Sequence, residues 1–442
     1  MRLSSLIGHI AELLHEVQQS REPADAVTAR FFRARRYLGA RDRRFIADHL
    51  FGILREQRFL EAVSAGLLGA AKSGSEAPRI PPLALVLVRM LHTRTVLPED
   101  ELERLRPLWN DLAPGTPLLA SGERFEEVAR TISADPDPLR RVSTVFSLPE
   151  GIVREWMERY GEQETEELCR ALNEPAPTTA RVNTLRCTVE ECQAALAASG
   201  VRVHPGRHAP DALIFAQRPA VQTLEPFRRG WFEMQDEGSQ LISLLLNPLP
   251  GELVVDVCAG AGGKSLHCAA MMGNRGKIVA TDRDRRKLER LRERAQRAGA
   301  SIIEVTPDGD LRADLSGQAD AVLVDAPCSG VGTLRRNPGA KAMLSEEASR
   351  SYAETQFGIL RDSAALVRPG GRLVYATCTM LWRENEGVVE RFCAAQQEFR
   401  VVPVQHVMAP GTSPGFSGPF LTLTPHHHGT DGFFGAVLRR RD

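Results

Sequence analysis

The stretch Leu253-Val254-Val255-Asp256-Val257-Cys258-Ala259-Gly260-Ala261-Gly262-Gly263-Lys264-Ser265 constrains this chain more than any other. An apolar, β-branched run passes into glycines and then into helix-forming residues through Met271. That order predicts strand, tight loop and helix, with a loop whose glycines turn sharply and let a ligand approach the backbone. Further apolar runs recur at 278–282, 302–305, 321–325, 372–376 and 433–438, with helical stretches between them. Strands alternating with helices predict a mainly parallel sheet covered on both faces, here over residues 226–442.

The remaining sequence is of two other kinds. Residues 1–135 predict helices only. Leu3, Leu6, Ile7, Ile10, Leu13, Leu14 and Val17 fall at helical spacing, interrupted by Glu12 and His15, which predicts an amphipathic helix rather than a signal peptide. A second face carries Phe45, Ile46, His49, Leu50, Ile53 and Leu54, and a third Leu83, Leu85, Val86, Val88 and Leu91. Asp135-Pro136-Asp137-Pro138 cannot continue a helix and marks a boundary. Residues 139–225 mix helical stretches near 150–172 and 188–199 with strand-like segments around Arg181-Val182-Asn183 and Ala212-Leu213-Ile214-Phe215, which predicts a small α+β unit.

Composition excludes several classes. The chain has 442 residues, 43% hydrophobic and 25% charged, which suits two or three globular domains and not wholesale disorder. No apolar run approaches the ~18 residues of a membrane-spanning helix, so no membrane partner and a cytoplasmic protein are expected. Net charge is zero, with 56 basic and 56 acidic residues, which excludes a polycation but not a local basic patch. Eight cysteines form no C-x-x-C pair, so reduced thiols are expected, and no metal site.

Asp282 ends the second predicted strand, 22 residues after Gly260 (282 − 260), a spacing that suits an acid on ribose hydroxyls. A dinucleotide loop requires glycine where Ser265 stands, so a nicotinamide cofactor fits poorly. A nucleoside cofactor without a pyrophosphate, such as S-adenosylmethionine, does not need that glycine. Cys328 follows the fourth strand in Asp325-Ala326-Pro327-Cys328, and Cys378 follows the fifth in Ala376-Thr377-Cys378-Thr379. Ligands of open α/β sheets bind beyond the carboxyl ends of the strands. If both strands neighbour the first, both thiols converge beside the cofactor loop. A thiolate adding to C6 of cytosine makes C5 a nucleophile able to accept a methyl group, and cysteine is a strong nucleophile even at low thiolate fraction. Pro327 stiffens the approach to Cys328, and Asp325 is placed to hydrogen-bond a base edge. For Cys169, Cys187, Cys192, Cys268 and Cys393 the expectation is inert burial, and for Cys258 a lining role in the cofactor loop.

Taken together, GWFEMQDEGSQL (230–241), VVDVCAGAGGKS (254–265), DAVLVDAPCSGVGTLRRNP (320–338), GGRLVYATCTMLWRENEGVV (370–389) and HHHGTDGFFGAVLRR (426–440) resemble, in the same order, the RsmB/Sun family of RNA cytosine-5 methyltransferases. RVNTLR (181–186) is similar to the segment that precedes the family's catalytic domain. The resemblance implies a Rossmann-like α/β methyltransferase domain. It implies Cys378 as nucleophile, Cys328 as the residue assisting product release, and Lys264 turned toward the active site. It implies S-adenosylmethionine against Cys258, Ala259, Gly260, Ala261, Gly262, Gly263 and Lys264, with Asp282, Asp325 and an acid after the third strand, Asp308 or else Asp310. Three positions depart from the family: CAGAGGKS stands for CAAPGGKT, and Ala376 and Thr379 replace serines. Residues 33–61 resemble, more briefly, a NusB-like RNA-binding domain, whose phosphate contacts would fall to Arg33, Arg35, Arg36, Arg41, Arg43 and Arg44. A solvated helix face explains those arginines equally well. The expected substrate is ribosomal RNA, with transfer RNA as the alternative, and a monomer is expected. A non-catalytic RNA-binding assembly factor is the competing class, and it would have no use for an intact Cys378 and cofactor loop.

Overall fold

The computed structural model describes residues 1–20, 22–68, 80–95, 98–112, 121–307, 315–408 and 418–442. Asp308 and Asp310 lie outside these residues. The chain forms two compact units, one of Met1–Glu174 with Leu334–Ser345, the other of Pro175–Thr333 with Glu346–Asp442.

The described part of the first unit is helical: α1 (Leu3–Gln19), α2 (Ala24–Ala34), α3 (Ala40–Arg55), α4 (Gln57–Leu67), α5 (Pro82–His92), α6 (Glu99–Leu112), α7 (Ser121–Ser133), α8 (Pro138–Val145), α9 (Glu150–Tyr160) and α10 (Glu162–Asn173). In α1 the residues Leu6, Ile7, Ile10, Leu13 and Leu14 are buried, as a 3.6-residue period requires of one face. They share a core with Ile46, Leu50 and Ile53 of α3 and with Leu85, Val86 and Val88 of α5. The Asp-Pro-Asp-Pro stretch does stop a helix: α7 ends at Ser133, and the Asp137 carboxylate caps α8 by accepting from the N–H groups of Leu139 and Arg140. The compact unit itself continues through α10 to Glu174. The helical stretch expected at 150–172 is two helices, parted at Gly161 with φ +85°. Lys341 plugs this unit: it is buried, and its Nζ donates to the carbonyls of Arg55 (2.7 Å) and Phe146 (2.7 Å) and to Asn173 Oδ1 (2.5 Å).

The second unit opens with a four-stranded antiparallel sheet of β1 (Thr179–Val182), β2 (Val203–Pro205), β3 (Ala212–Phe215) and β4 (Phe232–Met234), in the order β2-β3-β1-β4. The helices α11 (Val189–Ala198) and α12 (Glu225–Arg228) lie within the same stretch, and Thr188 with Glu191 makes a reciprocal cap at the start of α11.

The larger sheet follows. Its strands are β5 (Leu253–Asp256), β6 (Lys277–Ala280), β7 (Ile303–Val305), β8 (Ala319–Asp325), β9 (Val367–Thr377), β10 (Phe399–Val402), β11 (Leu421–Leu423) and β12 (Phe433–Arg440). The order is β7-β6-β5-β8-β9-β12-β10, with β11 paired to β12. β5 to β9 pair in parallel, and β10, β11 and β12 are antiparallel additions at one side. The helices are α13 (Glu237–Leu246), α14 (Gly263–Met271), α15 (Arg285–Ala298), α16 (Glu346–Ala364), α17 (Glu386–Ala395) and α18 (Pro425–His428). Successive residues of one strand enter different cores: Val254, Leu323 and Val374 one, Val255, Val322 and Leu373 the other. Both faces are therefore covered, which is why these strands read as unbroken apolar runs. Strand order reverses at the β5–β8 pair, where connections leave in opposite directions and open a crevice. No helix among the described residues is long and apolar enough to cross a membrane.

Candidate active site

The crevice is built first by the loop after β5. Gly260 and Gly262 hold φ of +55° and +84°. A Cβ on Gly262 would stand 2.5 Å from Leu291 Cγ of α15, so only glycine lets α14 start there. Ser265, at the position where a dinucleotide loop needs glycine, is buried and donates from Oγ to Asp256 Oδ2 at 2.6 Å. Burial pushes the Asp256 carboxyl up to about 7, against the opposing pull of the Ser265 hydroxyl. The loop is laced to β6: Ala259 N–H donates to the Thr281 carbonyl at 2.9 Å, and Gly260 N–H to Asp282 Oδ2 at 2.8 Å. Asp282 Oδ1 accepts from Asp284 N–H at 2.8 Å, so the carboxylate is fixed in direction with lone pairs remaining on both oxygens.

A cavity of about 820 Å³ lies along this loop. Its lining includes Cys258, Ala259, Gly260, Ala261, Gly263, Lys264, Asp282 and Asp325, together with Pro327 and Ile359. The size suits a nucleoside-bearing ligand. Of the residues expected from sequence, Gly262 serves the turn and not the lining, and Cys328 and Cys378 stand outside the lining. Asp308 and Asp310 are not among the described residues.

Lys264 is nearly enclosed and donates to Asp325 Oδ2 at 2.5 Å, with Nζ 5.6 Å from the Phe433 ring centre. Burial acts to lower its amine, but the Asp325 carboxylate outweighs burial, aided by Asp256 and Cys378, and the net shift is upward. Lys264 is therefore a fixed positive charge at the cavity wall.

The two cysteines meet. Cys328 Sγ and Cys378 Sγ are 3.3 Å apart. The register aligns Asp325 with Ala376, which sets the loops after β8 and β9 side by side. β8 neighbours β5 as expected, whereas β9 neighbours β8 and not β5. The hydrogen bond to Cys378 and burial together push the Cys328 thiol well above its ordinary range, so Cys328 holds its proton. Ser329 Oγ and Thr379 Oγ1, the residues next to each cysteine, are 2.8 Å apart.

Sequence reasoning passed over the residues that lock this pair. Glu384 is fully buried, and its carboxylate accepts from Ser329 N–H (2.9 Å), Ser349 Oγ (2.9 Å) and Gln356 Nε2 (3.0 Å). Gln356 also donates to the Pro327 carbonyl at 2.9 Å. Asn385 accepts from Thr377 Oγ1 at 2.6 Å and donates to the Thr379 carbonyl at 3.1 Å, bracketing Cys378. Gly332 packs against Gly432, with N–H to the Cys378 carbonyl at 3.0 Å, and a Cβ there would stand 2.2 Å from the Gly432 oxygen. The signal was Glu384-Asn385 inside the quoted motif, two polar residues beside an apolar run. The fully buried Arg181 was also missed. It joins the small sheet to the cofactor loop, donating to the Gly263 carbonyl at 2.7 Å and to Gln235 Oε1, and burial lowers it to about 10.

Residues 243–439 match the family model of the 16S rRNA methyltransferase RsmB/F, and 148–222 match the ferredoxin-like domain of RsmF/B-like methyltransferases. The probable ribosomal RNA small subunit methyltransferase B of Bacillus subtilis (strain 168) is 36% identical over 315 residues, 70% of each chain. Its counterpart in Synechocystis sp. (strain ATCC 27184 / PCC 6803 / Kazusa) is 32% identical over 414 residues, 90% of this chain and 91% of that one. The chain belongs to the RsmB/F family of rRNA small subunit methyltransferases. S-adenosylmethionine is accordingly its cofactor. The crystal structure of PH0851 superposes on the methyltransferase with a TM-score of 0.77 at 27% identity, over 100% of this chain and 99% of that one.

The arginines near the start of the methyltransferase divide into two kinds. Arg35 is spent on the fold, pairing with Glu12 and lying 3.6 Å over the Phe31 ring, as is Arg43, which donates to the Leu38 carbonyl at 2.8 Å. Arg33, Arg36, Arg41 and Arg44 are exposed.

Proposed function

We propose that this methyltransferase modifies C5 of a cytosine in 16S ribosomal RNA through a covalent bond between Cys378 Sγ and C6. The observation that carries the proposal is the pair of sulfurs, 3.3 Å apart at the carboxyl ends of neighbouring parallel strands, beside a cavity that a nucleoside fits. The residues present suit S-adenosylmethionine. The 258–264 loop offers a close-approaching backbone, Asp282 has lone pairs to accept from ribose hydroxyls, and Asp325 lines the same cavity. The cofactor supplies an electrophilic methyl group on a sulfonium.

The chain's own residues do the rest. Lys264, held charged by Asp325, stands as a positive charge near the Cys378 sulfur. Cys328 keeps its proton, and Cys378 is the sulfur assigned to the attack. The Cys378 thiolate forms the Sγ–C6 bond, and the electron pair of C5=C6 moves to C5, which becomes able to take the methyl group. The C5 proton then departs to a base, its bonding pair restores C5=C6, and the Sγ–C6 bond breaks to return the Cys378 thiolate. Cys328 suits that second stage. Once Cys378 is bonded to carbon, its hydrogen bond with Cys328, the largest of the causes that raise the Cys328 thiol, is weakened, and that thiol becomes easier to ionise. An assembly factor without chemistry gives no reason to hold two thiols this close. On the helical unit, Arg33, Arg36, Arg41 and Arg44 are the proposed phosphate contacts.

Denaturing gels with labelled 16S rRNA fragments test the assignment. Cys378→Ala should abolish methyl transfer and the protein–RNA adduct together, whereas Cys328→Ala should accumulate the adduct because release is slowed. Adduct from Cys378→Ala and none from Cys328→Ala would reverse the two roles. Bisulfite mapping of RNA from cells with and without the protein would identify the cytosine.

A further inference from the structure

We propose that Trp382 is a stacking platform for an RNA base next to the cytosine being modified, an inference that rests on the function proposed above. Trp382 is 47% exposed, which for an indole leaves a large apolar surface in water. Three residues stand between it and Cys378, so its Cα lies within roughly 14 Å of that of the nucleophile.

The turn that carries it is tied down by hydrogen bonds. It spans Trp382–Glu384, and Glu384 is tied to Ser329 N–H, Ser349 and Gln356, while Asn385 is tied to both neighbours of Cys378. The ring lies against the start of α17: a Cβ on Gly387 would stand 3.0 Å from an indole ring carbon. Glycine at that position thus gives the ring a backbone surface to rest on.

A second aromatic lies on the same support. Tyr352, 36% exposed, stands three residues after Ser349 and four before Gln356 on α16, beside the face that holds Glu384. Two arginines adjoin these aromatics in sequence: Arg383 is half-buried, and Arg350 is exposed and paired with Glu346 at 3.6 Å. Exposed aromatics are what single-stranded RNA is bound by, through base stacking. Taking one cytosine out of its stack leaves the adjacent base with an uncovered face, and an indole can cover it.

The test uses the full chain with a 16S rRNA fragment. Trp382→Ala should raise the RNA Kd roughly five- to hundredfold, and Trp382→Phe should retain most of the affinity. Cofactor affinity should be unchanged in both, which serves as the folding control. Replacing single nucleotides around the target by abasic residues should find one position at which the wild-type chain loses affinity and Trp382→Ala loses none further. Methylation by the wild-type chain with an unchanged RNA Kd in a folded Trp382→Ala variant would overturn the platform and leave the proposed function standing. Absence of cytosine methylation by the wild-type chain would remove both.

Discussion

Replacing Glu384 by alanine is the most informative single perturbation of the site outside the cysteines. Its carboxylate is fully buried and accepts three hydrogen bonds, from Ser329 N–H, Ser349 Oγ and Gln356 Nε2. Alanine would leave those donors without this partner and open a void. Each stranded buried donor costs about 1–3 kcal/mol. Gln356 keeps its bond to the Pro327 carbonyl and the Ser349 hydroxyl can rotate, so the total should reach about 3–5 kcal/mol and not the full sum. The functional loss should exceed what stability explains, because Ser329 and Pro327 flank Cys328 and lose their tether to the turn beyond Cys378. Glutamine should be milder, about 1 kcal/mol, because its oxygen can still accept from Ser329 N–H while its amide faces the Ser349 oxygen. Urea unfolding gives the stability change, and adduct yield under single-turnover conditions gives the alignment of the two thiols. A Glu384→Ala variant within 1 kcal/mol of wild type, with unchanged adduct yield, would refute the claim that Glu384 locks the two loops.

Two further outcomes follow from the cofactor loop. Asp282→Ala should weaken S-adenosylmethionine binding by about 1.5–3 kcal/mol, or about 10- to 150-fold, by removing charge-assisted hydrogen bonds to ribose, and calorimetry showing wild-type affinity in a folded variant would exclude Asp282 from the site. Asp256 titrates at about 7 in the folded chain, above its ordinary 3.8, because burial disfavours its charged form. An acid raised in this way favours the folded state below the lower value, and that contribution is lost as pH rises through the upper one. The stability of wild type relative to Asp256→Asn should therefore fall between about pH 4 and pH 7, by up to about 4 kcal/mol, and parallel pH profiles in urea unfolding would contradict the shift.

Much of the architecture was written in local sequence. β-Branched runs, glycines and helical spacing are short-range signals, so they announced the strand, loop and helix around 253–271 and the buried face of α1. The loop after β6 delivered Asp282 as expected, because its place depends only on the neighbouring parallel strand. Strands β10 and β11 were not anticipated: they are three or four residues long and owe their pairing to β12, a long-range partner. Ser265 shows the limit most clearly. Its sequence position excluded a dinucleotide loop, but only the fold revealed that its hydroxyl holds the buried Asp256.

The cysteines divide the same way. Sequence placed Cys328 and Cys378 at two strand ends, 50 residues apart along the chain (378 − 328). What brought their sulfurs to 3.3 Å was the adjacency of β8 and β9, together with the buried Glu384 and Asn385 that clamp the loops beyond them. Local composition determines which segments become strands and helices, because propensity and periodicity act over a few residues. Which strand ends become neighbours, and which buried carboxylate finds its donors, is decided by burying both faces of the sheet, a property of the whole chain that no single segment carries.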